Sequence, residues 1–376
     1  MSTVLCLHGP NLNQLGRRQP EVYGSTTLPE LEAAVNDWGR TLGFEVRCLQ
    51  SNHEGELVEA IHEARDDAGV IFNPGALTHS SRALQDAVAA IDSPVVEVHL
   101  SNIRKRERWR RRSFLAPVAA ASIFGRGPIG YRDGLRHLAN RAAFPIETVR
   151  YGPHPDQVMD LRRGEASTGV ILVHGGFWRD EWGRDTTESW AVDLARRGVP
   201  SANLEYRRLD SGGGAAATVS DVARAMEEAT DHLGTDSIVA VGHSVGSQLV
   251  LAAMAEGFHA AVSAFISVGG VLDLEGAERD GIGDGAIEAF DPGWSLSPLG
   301  LPPPRCPVVL MHGGADDLVP DIQSRRYADY LTHHQVEHLL GVLEEVGHFD
   351  ALKASSPAWT GALDALGRLG RPLGQT

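Results

Sequence analysis

Apolar positions in the first third of the chain follow two alternating periods. Short runs rich in β-branched residues fall at 4–8, 44–49, 69–73, 95–99 and 118–124. Between them, apolar residues recur at helical spacing over 28–42, 54–65, 80–91 and 128–141. Ser51-Asn52-His53-Glu54 predicts a capping box opening the second helix. Five strands alternating with helices predict an α/β fold with a doubly wound parallel sheet. Ligand sites in such folds lie at the strands' carboxyl ends.

The periodicity lapses after residue 145, and 146–164 reads as a linker and lead-in segment. The alternating style then resumes. Strands are predicted at 170–174, 200–206, 237–243, 264–268, 307–311 and 337–343, with helices at 219–233, 247–256 and 322–331. A Gly- and Pro-rich insertion at 272–304 interrupts the series, and such insertions often line active sites. The chain therefore divides into a domain at 1–145 and a second at 165–376.

Charge supports the division. Residues 1–150 carry 18 basic and 17 acidic side chains, whereas the remainder carries 16 and 32. Neither half has the positive excess that nucleic-acid binding requires, even though arginines crowd 104–112. No apolar run is long enough to span a membrane, and the first residues lack signal-peptide character. Cys6, Cys48 and Cys306 are scattered, odd in number and without metal-ligand spacing. A cytoplasmic enzyme without disulfides, metal or membrane contact is expected.

Chemically capable residues cluster where strands should end. Gly9-Pro10-Asn11-Leu12-Asn13 follows the first strand, and Arg17-Arg18-x-Pro20-x-x-Tyr23-Gly24 lies in the next loop. Gln50-Ser51-Asn52-His53-Glu54-Gly55, Asn73-Pro74-Gly75-Ala76, Thr78-His79 and Glu97-Val98-His99-Leu100-Ser101-Asn102 complete the series. Singly, each of these residues has an ordinary packing or capping explanation. Three strand ends converging with Asn, Tyr, Arg and two His are harder to explain that way.

In this order the six blocks resemble type II 3-dehydroquinate dehydratases over residues 1 to about 140. The resemblance implies a flavodoxin-like fold, a trimer-based dodecamer, and loss of water from 3-dehydroquinate by anti elimination through an enolate. No metal or cofactor is implied. It assigns Tyr23 as the base. A free phenol has a pKa near ~10, so a neighbouring cation such as Arg18 would be needed to stabilise the tyrosinate. Asn11 would hold the water that stabilises the enolate oxygen. His99, oriented by Glu97 and joined by Asn73, would protonate the departing hydroxyl. His79, Ser101 and Arg110 would clamp the carboxylate and ring hydroxyls. Leu100, Arg106 and a subunit-bridging Asp86 complete the implied binding set. Gln19 stands where the family usually has an acid, which bears on motion of the loop.

In the second half, Gly242-His243-Ser244-Val245-Gly246 lies between a predicted strand and helix, the setting of a G-x-S-x-G nucleophile elbow. His174-Gly175-Gly176-Phe177-Trp178 could supply oxyanion donors from Gly176 and Phe177, with the amide of Val245. Asp316, favoured over Asp317 by its D-x-x-V-P spacing, and His348, favoured over His333 and His334, complete the order Ser, Asp, His. That order is similar to the α/β-hydrolases. The His-Gly-Gly-Phe-Trp and Glu205-Tyr206-Arg207-Arg208 stretches resemble the kynurenine formamidase and carboxylesterase branch.

The expected protein is bifunctional: a dehydratase followed by a serine esterase or amidase, both acting on small molecules. Fusion suggests that the hydrolase releases a shikimate-pathway acid from an ester. An aryl formamide or unrelated ester is the alternative substrate. A different reading makes one half a non-catalytic oligomerisation module.

Overall fold

The computed structural model describes residues 2–17, 25–103, 106–235, 237–257 and 262–373. The chain separates into two compact units, Met1–Pro145 and Ile146–Thr376. No helix among the described residues is long and apolar enough to cross a membrane.

In the first unit, strands β1 (Ser2–His8), β2 (Phe44–Gln50), β3 (Gly69–Asn73), β4 (Val95–His99) and β5 (Ala121–Phe124) form one sheet. All are parallel, in the order β2-β1-β3-β4-β5. The alternation along β1 sorts its side chains to the two faces. Val4 and Cys6 pack with α1 (Leu28–Thr41) and α4 (Ile129–Ala143), whereas Leu5 and Leu7 pack with α2 (Glu54–Glu63) and α3 (Arg82–Ala89). β1 pairs β2 on one side and β3 on the other, so the winding direction reverses at β1. A crevice must open beyond the carboxyl ends of strands at such a reversal.

Local chemistry departs from expectation in three places. The capping box forms at α1, where the Thr27 amide donates to Glu30 at 2.8 Å. At α2, Ser51 instead accepts from the His53 amide at 2.9 Å and donates to Glu56. The fifth strand begins at Ala121, because Val118 and Ala119 close a turn onto the Leu115 carbonyl.

The second unit has strands β6 (Glu147–Arg150), β7 (Val158–Arg162), β8 (Thr168–Val173), β9 (Ser201–Leu204), β10 (Ser237–His243), β11 (Val262–Val268), β12 (Val308–Gly313) and β13 (His338–Leu343). Their order is β13-β12-β11-β10-β8-β9-β7-β6, with β7 antiparallel to both neighbours. The segment 146–164, expected as linker, is therefore two strands of this sheet. Its fully buried β7 carries Asp160 and Arg162, ion-paired to Arg184 and Glu188, so no apolar run marks it. One face is covered by α5 (Glu188–Arg196) and α11 (Pro357–Arg368), whose Trp190 and Trp359 stack with centroids 4.8 Å apart. The other is covered by α6 (Ala215–Leu233), α7 (Val245–Ala255) and α10 (Ile322–His333). The 272–304 insertion folds into two short helices, α8 (Leu274–Arg279) and α9 (Ala286–Phe290).

Phe72 on β3 is fully buried in the core beneath α2 and α3. Phe72→Ala is expected to cost the first unit about 3–5 kcal/mol. Urea denaturation should show this as a lower midpoint at unchanged slope.

Candidate active sites

At the carboxyl ends of β1, β3 and β4 lies a cavity of about 110 Å³. Its polar lining comes from Asn11, Gln14, Asn73, His79, His99, Ser101 and Arg110. Leu100 and Arg106 also face it, and Leu12, Leu15 and Ile103 supply apolar wall that the sequence did not single out. The loops after β1 and β3 come together only because Gly9 lacks a side chain. A Cβ there would lie 2.5 Å from the Pro74 carbonyl oxygen. Asn11 sits at φ 68°, a left-handed conformation that Asn tolerates better than most residues. Its amide donates to Asn52 at 2.9 Å.

Glu97 organises the site from below. It is fully buried on β4 and accepts from His99 Nε2 at 2.8 Å, from Thr78, from Ser113 at 2.8 Å and from Ser122 at 3.3 Å. Burial alone would raise its pKa, but the hydrogen bond and charge of His99, with Thr78 and Ser113, outweigh it. The carboxyl is held below its usual range. His79 hydrogen-bonds through Nδ1 to the Arg112 carbonyl at 2.7 Å and meets the edge of Trp109. Burial, with the charges of His99 and Arg110, lowers its pKa. Asn73 Nδ2 donates to the Tyr131 hydroxyl at 3.0 Å, while its Oδ1 accepts from Gly75 at 3.2 Å. The Tyr131 hydroxyl lies 3.2 Å from His8 Nδ1, and burial pushes His8 down to about 4. Arg106 and Arg110 flank Glu107 at 3.5 Å each.

Tyr23, Arg18 and Gln19 lie outside the described residues, as does Arg104. Asp86 is exposed on α3 and does not line the cavity. Ser113, Tyr131 and His8 act on the site but were not singled out for it, and Thr78 was read only as part of a motif. Their partners lie up to 123 residues away, and no local pattern announces them.

The second cavity, about 210 Å³, is lined by Ser244, His348, Gly176, Phe177, Trp182 and Phe349, with Leu318 and Leu352. Ser244 joins β10 to α7 at φ 55° and ψ −127°, a strained turn for a residue with a side chain. The turn needs glycine on either side. A Cβ on Gly246 would lie 2.2 Å from the Val173 carbonyl oxygen, and one on Gly242 would meet Ser247 backbone at 2.4 Å. His348 Nδ1 lies 2.7 Å from Asp316 Oδ2, and Asp316 Oδ1 accepts from the Leu318 and Val319 amides. Burial would raise the Asp316 carboxyl. Hydrogen bonds from His312, His348 and Val319 hold it well below the usual range instead. Asp317 takes no part in these contacts.

Gly176 and Phe177 line the cavity with positive φ, and Val245 opens α7, where amides lack intrahelical partners. The loop bearing Gly176 is held from behind. His174 Nε2 lies 2.9 Å from Glu205, its Nδ1 lies 2.7 Å from the Gly175 carbonyl, and Tyr206 donates to its backbone carbonyl at 2.8 Å. The two stretches that suggested the formamidase branch thus meet each other. The 272–304 insertion does not line the cavity. It backs this loop, with Phe290 stacked on Trp178 at 4.1 Å and Arg179 donating to the Gly283 and Asp284 carbonyls.

Residues 2–139 match the family Dehydroquinase class II, and residues 197–363 match the Prolyl oligopeptidase family. A 3-dehydroquinate dehydratase of Ruegeria pomeroyi is 54% identical over 140 residues, covering 37% of this chain and 94% of that protein. A catabolic 3-dehydroquinase 2 of Aspergillus flavus is 48% identical over 138 residues, 36% of this chain and 92% of its own. Esterase B of Lactobacillus rhamnosis is similar in fold, with a TM-score of 0.50 at 18% identity. The likeness covers 64% of this chain and 91% of that one.

Because the Glu97 pKa is depressed on folding, its charge contributes stability above its unfolded value, about 4.3, and loses it as pH falls through the folded value. Glu97→Gln should therefore lose more stability relative to wild type at about pH 7 than at about pH 3. Denaturation midpoints of both proteins at the two pH values check this, and a gap that stays constant contradicts it.

Proposed function

The chain belongs to the class II dehydroquinase family, and on that footing we propose that its first unit converts 3-dehydroquinate to 3-dehydroshikimate by anti elimination. The observation that carries the reading is the Glu97–His99 pair at the cavity. With Nε2 held by a buried carboxylate, His99 keeps Nδ1 for proton transfer. Tyr23, made tyrosinate by Arg18, takes the proton next to the ketone. Asn11 steadies the enolate oxygen through a water, and His99 protonates the leaving hydroxyl with Asn73 donating alongside. His79, Ser101 and Arg110 hold the carboxylate and ring hydroxyls, with Leu100 and Arg106 beside them. The trimer-based dodecamer, with Asp86 reaching a neighbouring subunit, belongs to the same proposal. Exposure of Asp86 on α3 supports it, and sedimentation of the full chain is expected to give twelve subunits by the family pattern.

The second unit is proposed to be a serine hydrolase of esters or amides. Ser244 attacks the carbonyl, and His348, fixed by Asp316, takes the serine proton and passes it to the leaving group. Amides of Gly176, Phe177 and Val245 receive the oxyanion. The aromatic and aliphatic wall of Trp182, Phe349, Leu318 and Leu352 favours an acyl group that is apolar or aromatic. The alcohol it releases is proposed to be a cyclic hydroxy acid of the kind that the first unit handles.

A crossed pair of variants tests the two centres. Tyr23→Phe should cut dehydration by at least about 100-fold and spare hydrolysis, and Ser244→Ala should do the reverse. Acyl esters of quinate, shikimate and dehydroshikimate, simple aryl esters and N-formylkynurenine form the substrate panel. Preference for a cyclic-acid ester, lost in Ser244→Ala, supports the joint pathway. Turnover only of simple aryl esters or of the formamide removes it.

A further inference from the structure

On the α1 face of the first sheet, beside the cavity, three groups meet that the proposed dehydration leaves unused. Cys6 and His8 alternate along β1 and so share a face, and the parallel register sets Cys48 of β2 opposite Cys6. One ligand atom from each of the three lies within 4.8 Å of the others, and Cys6 Sγ is 3.4 Å from His8 Nε2. From α1, Glu32 brings Oε1 to 3.8 Å from the same nitrogen. A tetrahedral zinc ion with bonds of about 2.3 Å to sulfur and about 2.0 Å to nitrogen holds those atoms about 3.5 Å apart. The Cys6–His8 spacing of 3.4 Å, made here by a direct hydrogen bond, is thus also the spacing that a shared ion requires.

The outer partners match as well. A ligating histidine ordinarily donates its other ring nitrogen to a fixed acceptor, which sets both tautomer and ring orientation. His8 Nδ1 lies 3.2 Å from the Tyr131 hydroxyl, a pair in which either group can donate, and this contact leaves Nε2 as the nitrogen facing the sulfurs. Asn36 Nδ2 lies 3.8 Å from Cys48 Sγ, a donor placed for a thiolate. Cys6 and His8 are fully buried, but β2 is an edge strand, and Cys48 and Glu32 are partly exposed. An ion thus has an approach from that edge.

We infer that Cys6, His8 and Cys48 form a structural site for a thiophilic divalent cation of the zinc class, with Glu32 beside it as an outer partner. The Tyr131 hydroxyl links His8 to Asn73, so the site also braces one polar wall of the cavity.

Co²⁺ is the probe, added to the full chain after chelator treatment and under a non-thiol reductant. The expected result is one Co²⁺ per chain with the intense visible bands of a tetrahedral thiolate complex, displaced by Zn²⁺. Cys48→Ser should weaken binding at least about 100-fold, and Glu32→Gln about tenfold. Zn²⁺ should also raise the unfolding temperature of wild type but not of Cys48→Ser, whose fold circular dichroism checks. Absence of thiolate bands in the wild type overturns the site. So does Co²⁺ binding that is equal in wild type and Cys48→Ser, because the ion is then held elsewhere.

Discussion

Both candidate sites depend on backbones approaching more closely than any side chain permits. In the first unit the loops leaving β1 and β3 touch at Gly9 and Pro74, and in the second the helix after Ser244 rests Gly246 on the Val173 carbonyl. These contacts sit at the carboxyl ends of parallel strands, where the twist and winding of the sheet leave a crevice. Closing the gap by one methyl group would move the loop after β1, and with it Asn11. In the hydrolase it would displace the serine turn. Strain at Ser244 persists because the packed sheet and α7 overdetermine the turn.

Buried carboxylates supply the second layer of order. An ionised carboxylate inside a protein is costly unless hydrogen bonds and partner charges replace its water. Glu97, Asp316 and Glu205 each meet that condition by gathering several donors, histidine among them. The histidines are thereby orientated, so one electrostatic requirement sets both stability and geometry. Glu205 does this at one remove from chemistry. It fixes His174, whose other ring nitrogen lies against the Gly175 carbonyl, and that residue leads into the loop of Gly176 and Phe177.

The central strands and the residues at their ends were legible in the sequence, because buried parallel strands are continuous apolar runs and their loops carry the reactive groups. β7 was not, since its buried Asp160 and Arg162 find ionic partners in other elements and erase the apolar signal. α11 was hidden by Gly361 and Gly367 inside it, both poor helix formers. Among site residues, Glu97 and His99 share one strand and could be read together. Ser113, Tyr131 and His8 could not, because only the folded sheet brings them near. The cysteines make the same point. Spacing along the chain showed no metal pattern, whereas strand register places Cys6 opposite Cys48.

The two cavities differ in what they recognise. The first presents two histidines, two arginines, Ser101, Gln14 and two asparagines, a set that suits a carboxylate bearing several hydroxyls. The second presents tryptophan, phenylalanine and leucine around Ser244 and His348, a set that suits an apolar acyl group. No single small molecule satisfies both sets with the same atoms. The ester proposed above would do so with its two halves: an apolar acyl group suits the second wall, and a hydroxy acid released on hydrolysis would carry groups that suit the first cavity. The chemical contrast between the sites, rather than any likeness, is what makes their union in one chain intelligible.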